Sequence, residues 1–312
     1  MTEGPTGRTQ SAAPAAGTAA NDRPPTPAVP PAGAGAAAGT PATTAPARDG
    51  VSRRAGWIAL AIFFAALLLS HAVYSMESLS TWPQWLASLV QPVLVAVLVL
   101  AGLWWVYRIG PGRAATEVGL RAPFVLAVLF ALTATLPMAI GFGVGDEPVD
   151  GKPLWEMLFI LTFWPFAEEL LFRGYAFRQL HRRAGWGFWS ATLVPTILFG
   201  VVHVLYFFFQ DAPLRIPLAA AGTTILLGVL YAWLFKAWGD NLWVPIAFHG
   251  MLNFWWEGFG FDRLNIDYWG MQVLRAAAIA LAIMLTLMRH RLPFVSRRVT
   301  GLEGPYAADA AP

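Results

Sequence analysis

The sequence predicts an all-α protein, a polytopic bundle of about eight transmembrane helices behind a disordered N-terminal arm. Three observations carry that expectation. Charged side chains make up only 12% of the chain, where an ordinary soluble domain carries about 25%. Mean hydropathy is +0.54 even with a polar arm included. The apolar residues also fall into long runs broken by charges or turn-formers, not into short alternating stretches. A net charge of +3 and a pI near 9.4 do not point to nucleic acid. The basic residues flank apolar segments instead of forming one patch.

The elements follow in order. Residues 1–50 are nearly all Ala, Pro, Gly and Thr, with a few charges and no aromatic residue. Such a segment cannot bury enough apolar surface to offset its ordering entropy, so it is expected to be disordered. A signal peptide is not expected, because the first apolar run begins near Trp57 and is too long for an h-region. Eight apolar runs follow, near 57–74, 86–107, 123–143, 154–180, 186–209, 214–238, 242–256 and 271–288. Most reach the ~20 residues a helix needs to cross ~30 Å of hydrocarbon. The seventh is shorter and has to be tilted, interfacial or buried among its neighbours. The expected division is arm 1–50, transmembrane domain 51–298 and disordered tail 299–312.

Arginine sets the orientation. Arg53/Arg54, Arg108/Arg113/Arg121, Arg178/Arg182/Arg183, Lys236 and Arg289/Arg291/Arg297/Arg298 flank alternate ends of the runs. The other loops hold Glu77, Asp146/Glu147/Asp150, Asp211 and Glu257/Asp262/Asp267. The positive-inside rule then gives a multi-pass protein of the cell membrane, with both termini cytoplasmic. Trp82, Trp85, Trp104, Trp105, Trp186, Trp189, Trp238 and Trp243 near the run ends read as interfacial belts. Cysteine is absent, which excludes disulfides and thiolate chemistry.

Ionisable residues inside spans are costly and therefore candidates for function. The fourth run contains Glu168-Glu169 and Arg173. Glu169 and Arg173 share a helical face in the favourable order, while Glu168 points about 100° away. The fifth run carries Phe199 and His203, and the seventh His249 and Asn253, which lie one turn apart on one face. Counted from the cytoplasmic ends, Glu168 lies ~18 Å deep, His203 ~26 Å and His249 ~10 Å. That spread is wider than one site allows unless the run boundaries shift. Glu156, Lys236 and Arg275 lie within about two turns of span ends and are expected to reach the interface.

With these residues in place, the chain resembles the CAAX protease and bacteriocin-processing (CPBP) family of intramembrane endopeptidases, which includes the CAAX prenyl endoproteases. Glu168-Glu169-xxx-Arg173, Phe199-xxx-His203 and His249-xxx-Asn253 carry the resemblance, which covers about residues 154–256. It implies hydrolysis of a peptide bond in a membrane-associated protein or peptide. Glu168 would be the general base activating water, assisted by His203. His249 and Asn253 would stabilise the oxyanion, and Glu169 and Arg173 would organise the helix. The chemistry suits these residue types: a carboxylate removed from water is a stronger base, and an Asn amide and an imidazole are suitable oxyanion donors.

No cofactor is expected. Zinc held by Glu168, His203 and His249 is the alternative, and it is disfavoured. Each ligand comes from a different helix, and no carboxylate is evident as an outer partner for either histidine. Two other functions compete with proteolysis. A non-catalytic scaffold or immunity-type protein has no need of all four site residues, and a proton-coupled transporter usually shows repeated, broken helices that are not visible here. The expected partners are the substrate and the lipid bilayer.

Overall fold

Each apolar run folds as helix, as the absence of water for backbone groups in hydrocarbon demands. The computed structural model describes residues 49–74, 81–144, 152–257 and 269–289. The expected arm, except its last two residues, and the expected tail lie outside the described residues. Helix α1 spans Asp49–Tyr74 and α2 spans Gln84–Tyr107. A short α3, Pro111–Glu117, follows on the arginine-rich side, where Glu117 pairs with Arg183 at 2.9 Å.

The third run is bent. It forms α4, Phe124–Ala134, and α5, Leu136–Val144, at 48° to each other. Pro137 supplies the cause, since it has no N–H for the helical ladder. The fourth run is the most irregular. It comprises α6 (Leu154–Leu158), a π-helical turn (Phe159–Phe163), α7 (Trp164–Glu169) and π-helical stretches at Leu170–Phe177 and Gln179–Arg183. Pro165 has no N–H to offer the Leu161 carbonyl, and wider turns of this kind recur at functional sites. Helices α8 (Phe188–Phe208), α9 (Arg215–Ala237), α10 (Trp243–Glu257) and α11 (Trp269–Met288) complete the described chain.

Helices α2, α8, α9 and α11 are each long and apolar enough to cross a membrane, and the bent α4–α5 pair brings the number to five. Among the described residues length and composition therefore support four or five spans, and the expected count of eight is not confirmed. Lipid-facing residues such as Val93, Val97, Leu226 and Val273 are exposed, as a hydrocarbon solvent permits. This is a multi-pass membrane protein.

Within the bundle, Glu169–Leu180 is buried without interruption and packs against α1, α2, α8 and α9. Helix α10, the short seventh run, is buried among neighbours, against α4, α7 and α9. Asn241 holds its start: Oδ1 accepts from the Trp243 N–H at 3.0 Å, and Nδ2 donates to the Pro123 carbonyl at 3.1 Å. The tryptophan belts need one correction. Trp82, Trp85, Trp104, Trp105 and Trp189 are exposed, but Trp238 is buried and its indole N–H donates to Thr286 at 3.1 Å. An indole at a run end turns inward when a buried acceptor awaits it.

Candidate active site

The site is built on the end of α7, where the chain passes into its long π-helical stretch. Glu168 and Glu169 are adjacent there and meet opposite environments. The Glu169 side chain has no exposed surface, whereas that of Glu168 is 32% exposed. Only Glu168 is reachable.

Glu169 is the hub of a buried network. Its Oε1 accepts from Arg173 Nη1 at 3.0 Å and from His249 Nδ1 at 2.9 Å. Arg173 also donates from Nη2 to the Gly228 carbonyl on α9 at 2.9 Å. Its guanidinium lies 5.2 Å from the centre of the Tyr231 ring and 5.6 Å from that of Phe172. Tyr231 in turn stacks on His249, with ring centres 4.9 Å apart and planes 22° from parallel. A carboxylate accepts, so His249 carries a proton on Nδ1 and turns Nε2 toward Glu168, 3.8 Å from its Oε2. Charge-assisted bonds on one nitrogen fix the orientation of the other.

His203 reaches the site from α8. Its Nδ1 donates to the Phe199 carbonyl one turn earlier at 3.0 Å, which fixes the tautomer. The Phe199 ring meets His203 edge-on at 4.4 Å and packs on Phe172, also at 4.4 Å. Phe199 thus sets both the height and the hydrogen-bonding state of the histidine.

Glu168, His203, His249 and Asn253 line one cavity of about 670 Å³. The spread in depth expected from the sequence therefore closes. Its cause is the start of α10: Trp238, Asn241 and Leu242 are buried, so counting from that end underestimates the depth of His249. The walls come from the last turns of α1 and α8, the first turns of α2, α9 and α11, and the end of α10. These ends meet the acidic loops, not the arginine clusters.

Two features escape the sequence reading. One is Gly228 with Tyr231: a Cβ at Gly228 would run into Thr196 of α8, so this glycine lets α9 approach and present its carbonyl to Arg173. A glycine within a long apolar run was the available signal, because small residues mark helix contacts in membranes. The other is Gly250, where a Cβ would run into the Leu161 carbonyl that Pro165 cannot serve. That contact seats His249 beside Glu169. The expectation that no carboxylate supports either histidine is overturned, since Glu169 does so for His249. Arg275, expected at the interface, lines the cavity instead.

Among the described residues no three His, Asp or Glu side chains are grouped so as to hold an ion.

Fold and chamber define an all-helical membrane protein with a polar site enclosed by its helices. Residues 150–255 match the family described as type II CAAX prenyl endopeptidase Rce1-like, a match that covers about a third of the chain. All the site residues named above except Arg275 fall within the matched segment or, for Asn253, at its edge. No curated protein and no solved structure matches the chain.

Proposed function

We propose that this protein is an intramembrane endopeptidase that hydrolyses a membrane-associated protein or peptide with water activated by Glu168. One observation carries the reading: the reachable Glu168 faces His249 Nε2 across 3.8 Å, while the other nitrogen of that ring is bound by a fully buried glutamate. Glu168 takes a proton from water as its oxygen attacks the scissile carbonyl. His203, with Nδ1 committed to a backbone carbonyl, presents Nε2 to the same chamber and assists. The oxyanion accepts hydrogen bonds from the Asn253 amide and from the Nε2–H of the His249 imidazolium. The proton on Glu168 then passes to the leaving amine as the C–N bond breaks, and the carbonyl reforms as a carboxylic acid. No metal takes part in this scheme, and both termini lie in the cytoplasm.

The decisive experiment compares membrane proteomes of cells expressing the native chain or Glu168→Gln at equal levels. A protein whose shortened form appears only with the native chain supports the reading. Identical cleavage patterns in the two strains would remove it.

A further inference from the structure

Gln91 is an amide in the chamber wall that the proposed chemistry does not use. It stands on α2, which starts at Gln84, about 10 Å along the helix. From Pro92 to Val106 that helix carries no charged, amide or hydroxyl side chain. One turn beyond Gln91, Val95 lines the same cavity and belongs to the buried cluster that holds Ala167 and Leu171, which flank Glu168 in the fourth run. Helix α7 packs against both α2 and α10. The chamber therefore receives Gln91 from one helix that touches α7, and His249 and Asn253 from the other. Gln272, the other glutamine in the wall, lies in the first turn of α11, close to its helix end. Gln91 also lies outside residues 150–255, so the family match assigns it nothing.

A peptide drawn out of water into this chamber brings backbone N–H and C=O groups that need partners. In an extended chain, one residue turns its own N–H and C=O to the same side. A glutamine amide can meet both, its oxygen accepting and its NH2 donating. We infer that Gln91 binds the backbone of the substrate, pairing its amide with the N–H and C=O of one extended residue beside the scissile bond. The inference rests on the peptidase reading for the identity of the ligand. Such a contact ignores side chains and selects a conformation, because in a helix the same backbone groups are already paired. Gln91 is then a substrate-binding residue supplied by the part of the chain that precedes the family segment.

The test measures binding without turnover. Full-length protein carrying Glu168→Gln is placed in lipid nanodiscs and titrated with two short peptides of Ala and Leu, each bearing a neutral fluorophore. Empty nanodiscs set the baseline. One peptide has amides throughout; in the other the central backbone amides are esters, which keep the side chains and remove the N–H donors. Adding Gln91→Met, which keeps the length of the side chain without its polar atoms, should weaken the amide peptide about fivefold, the scale of a neutral hydrogen bond. It should weaken the ester peptide far less, so that the preference for amide shrinks. Gln91→Leu repeats the measurement if Gln91→Met does not fold. Gln84→Met, on the same helix and outside the chamber wall, should change neither peptide. An equal loss for both peptides, no loss for either, or no binding of any peptide overturns the inference. Because nothing is cleaved, failure here leaves the role of Glu168 standing, and identical proteomes would leave this measurement intact.

Discussion

Glu169 and His249 are joined by a 2.9 Å bond from Nδ1 to Oε1, across two helices that are eighty residues apart in the chain. The same oxygen serves Arg173 at 3.0 Å. One carboxylate therefore does two things: it neutralises a buried guanidinium and fixes the histidine that faces Glu168. A local ion pair between residues four apart thus becomes part of the site.

That sharing separates the two adjacent glutamates. Glu169→Gln leaves Arg173 charged in a buried pair, at a cost of about 3–5 kcal/mol, and loosens His249 as well. Both melting temperature in detergent and activity should fall. Glu168→Gln removes a base from a partly exposed side chain, so activity against an identified substrate should drop by about 100-fold or more with little change in melting temperature. Equal melting temperatures for the two variants would contradict the network.

Tyr231 stacks on His249 and lies over Arg173, and among the described residues its buried hydroxyl has no hydrogen-bond partner. The ring matters and the hydroxyl does not. Tyr231→Phe should keep kcat/KM and at least native stability. Tyr231→Leu should lose both the stack and the cation contact, interactions of about 1 kcal/mol each, and lower kcat/KM roughly tenfold. A reversed order of the two variants would contradict this reading of the ring.

Glycine offers an internal control. Gly250→Ala drives a methyl into the Leu161 carbonyl, whereas a Cβ at Gly222 meets nothing within 4 Å. Forced insertion into packed structure costs about 1–3 kcal/mol, so Gly250→Ala should melt earlier and lose activity by displacing His249. Gly222→Ala, in a helix and unobstructed, should be neutral or stabilising. The comparison needs only thermal unfolding and one activity assay.

Metal content is the fourth expectation. Purified protein should carry no stoichiometric zinc, and strong chelators should leave turnover largely intact. One zinc per chain by elemental analysis, lost together with activity in His203→Ala, would replace the metal-free scheme while keeping the protease.

The helical class and the residues that meet in the chamber were legible because membrane solvation punishes both unpaired backbone and stray charge. Apolar runs and the few polar groups inside them thus stand out. Span count was less legible: hydropathy registers apolar length, but Pro137 and Pro165 divide runs three and four into pieces. Glu169 showed its local partner Arg173, four residues away, and hid its distant partner His249. Long-range contacts such as Gly228–Thr196 and Gly250–Leu161 leave only a glycine in the sequence, without its address. Arg275 sits near a span end, where an arginine ordinarily reaches out to the headgroups. Its inward turn toward Trp256 depends on the packing of two helices.

The chamber borrows its walls from the helix ends that meet the acidic loops, and this gives the reaction a direction across the membrane. If arginine-rich loops face the cytoplasm, peptide enters from the opposite compartment. A segment presented only by the cytoplasm would then have to pass the layer where Glu117 pairs with Arg183 and Arg183 covers Tyr107. With no native cysteine, single introduced ones report this directly. Gln272→Cys should react with an impermeant maleimide on intact cells, whereas Arg113→Cys and Arg183→Cys should react only after the cells are opened. Labelling of Arg183→Cys on intact cells, with Gln272→Cys silent, would turn the whole arrangement over and make the enzyme a reader of cytoplasmic chains.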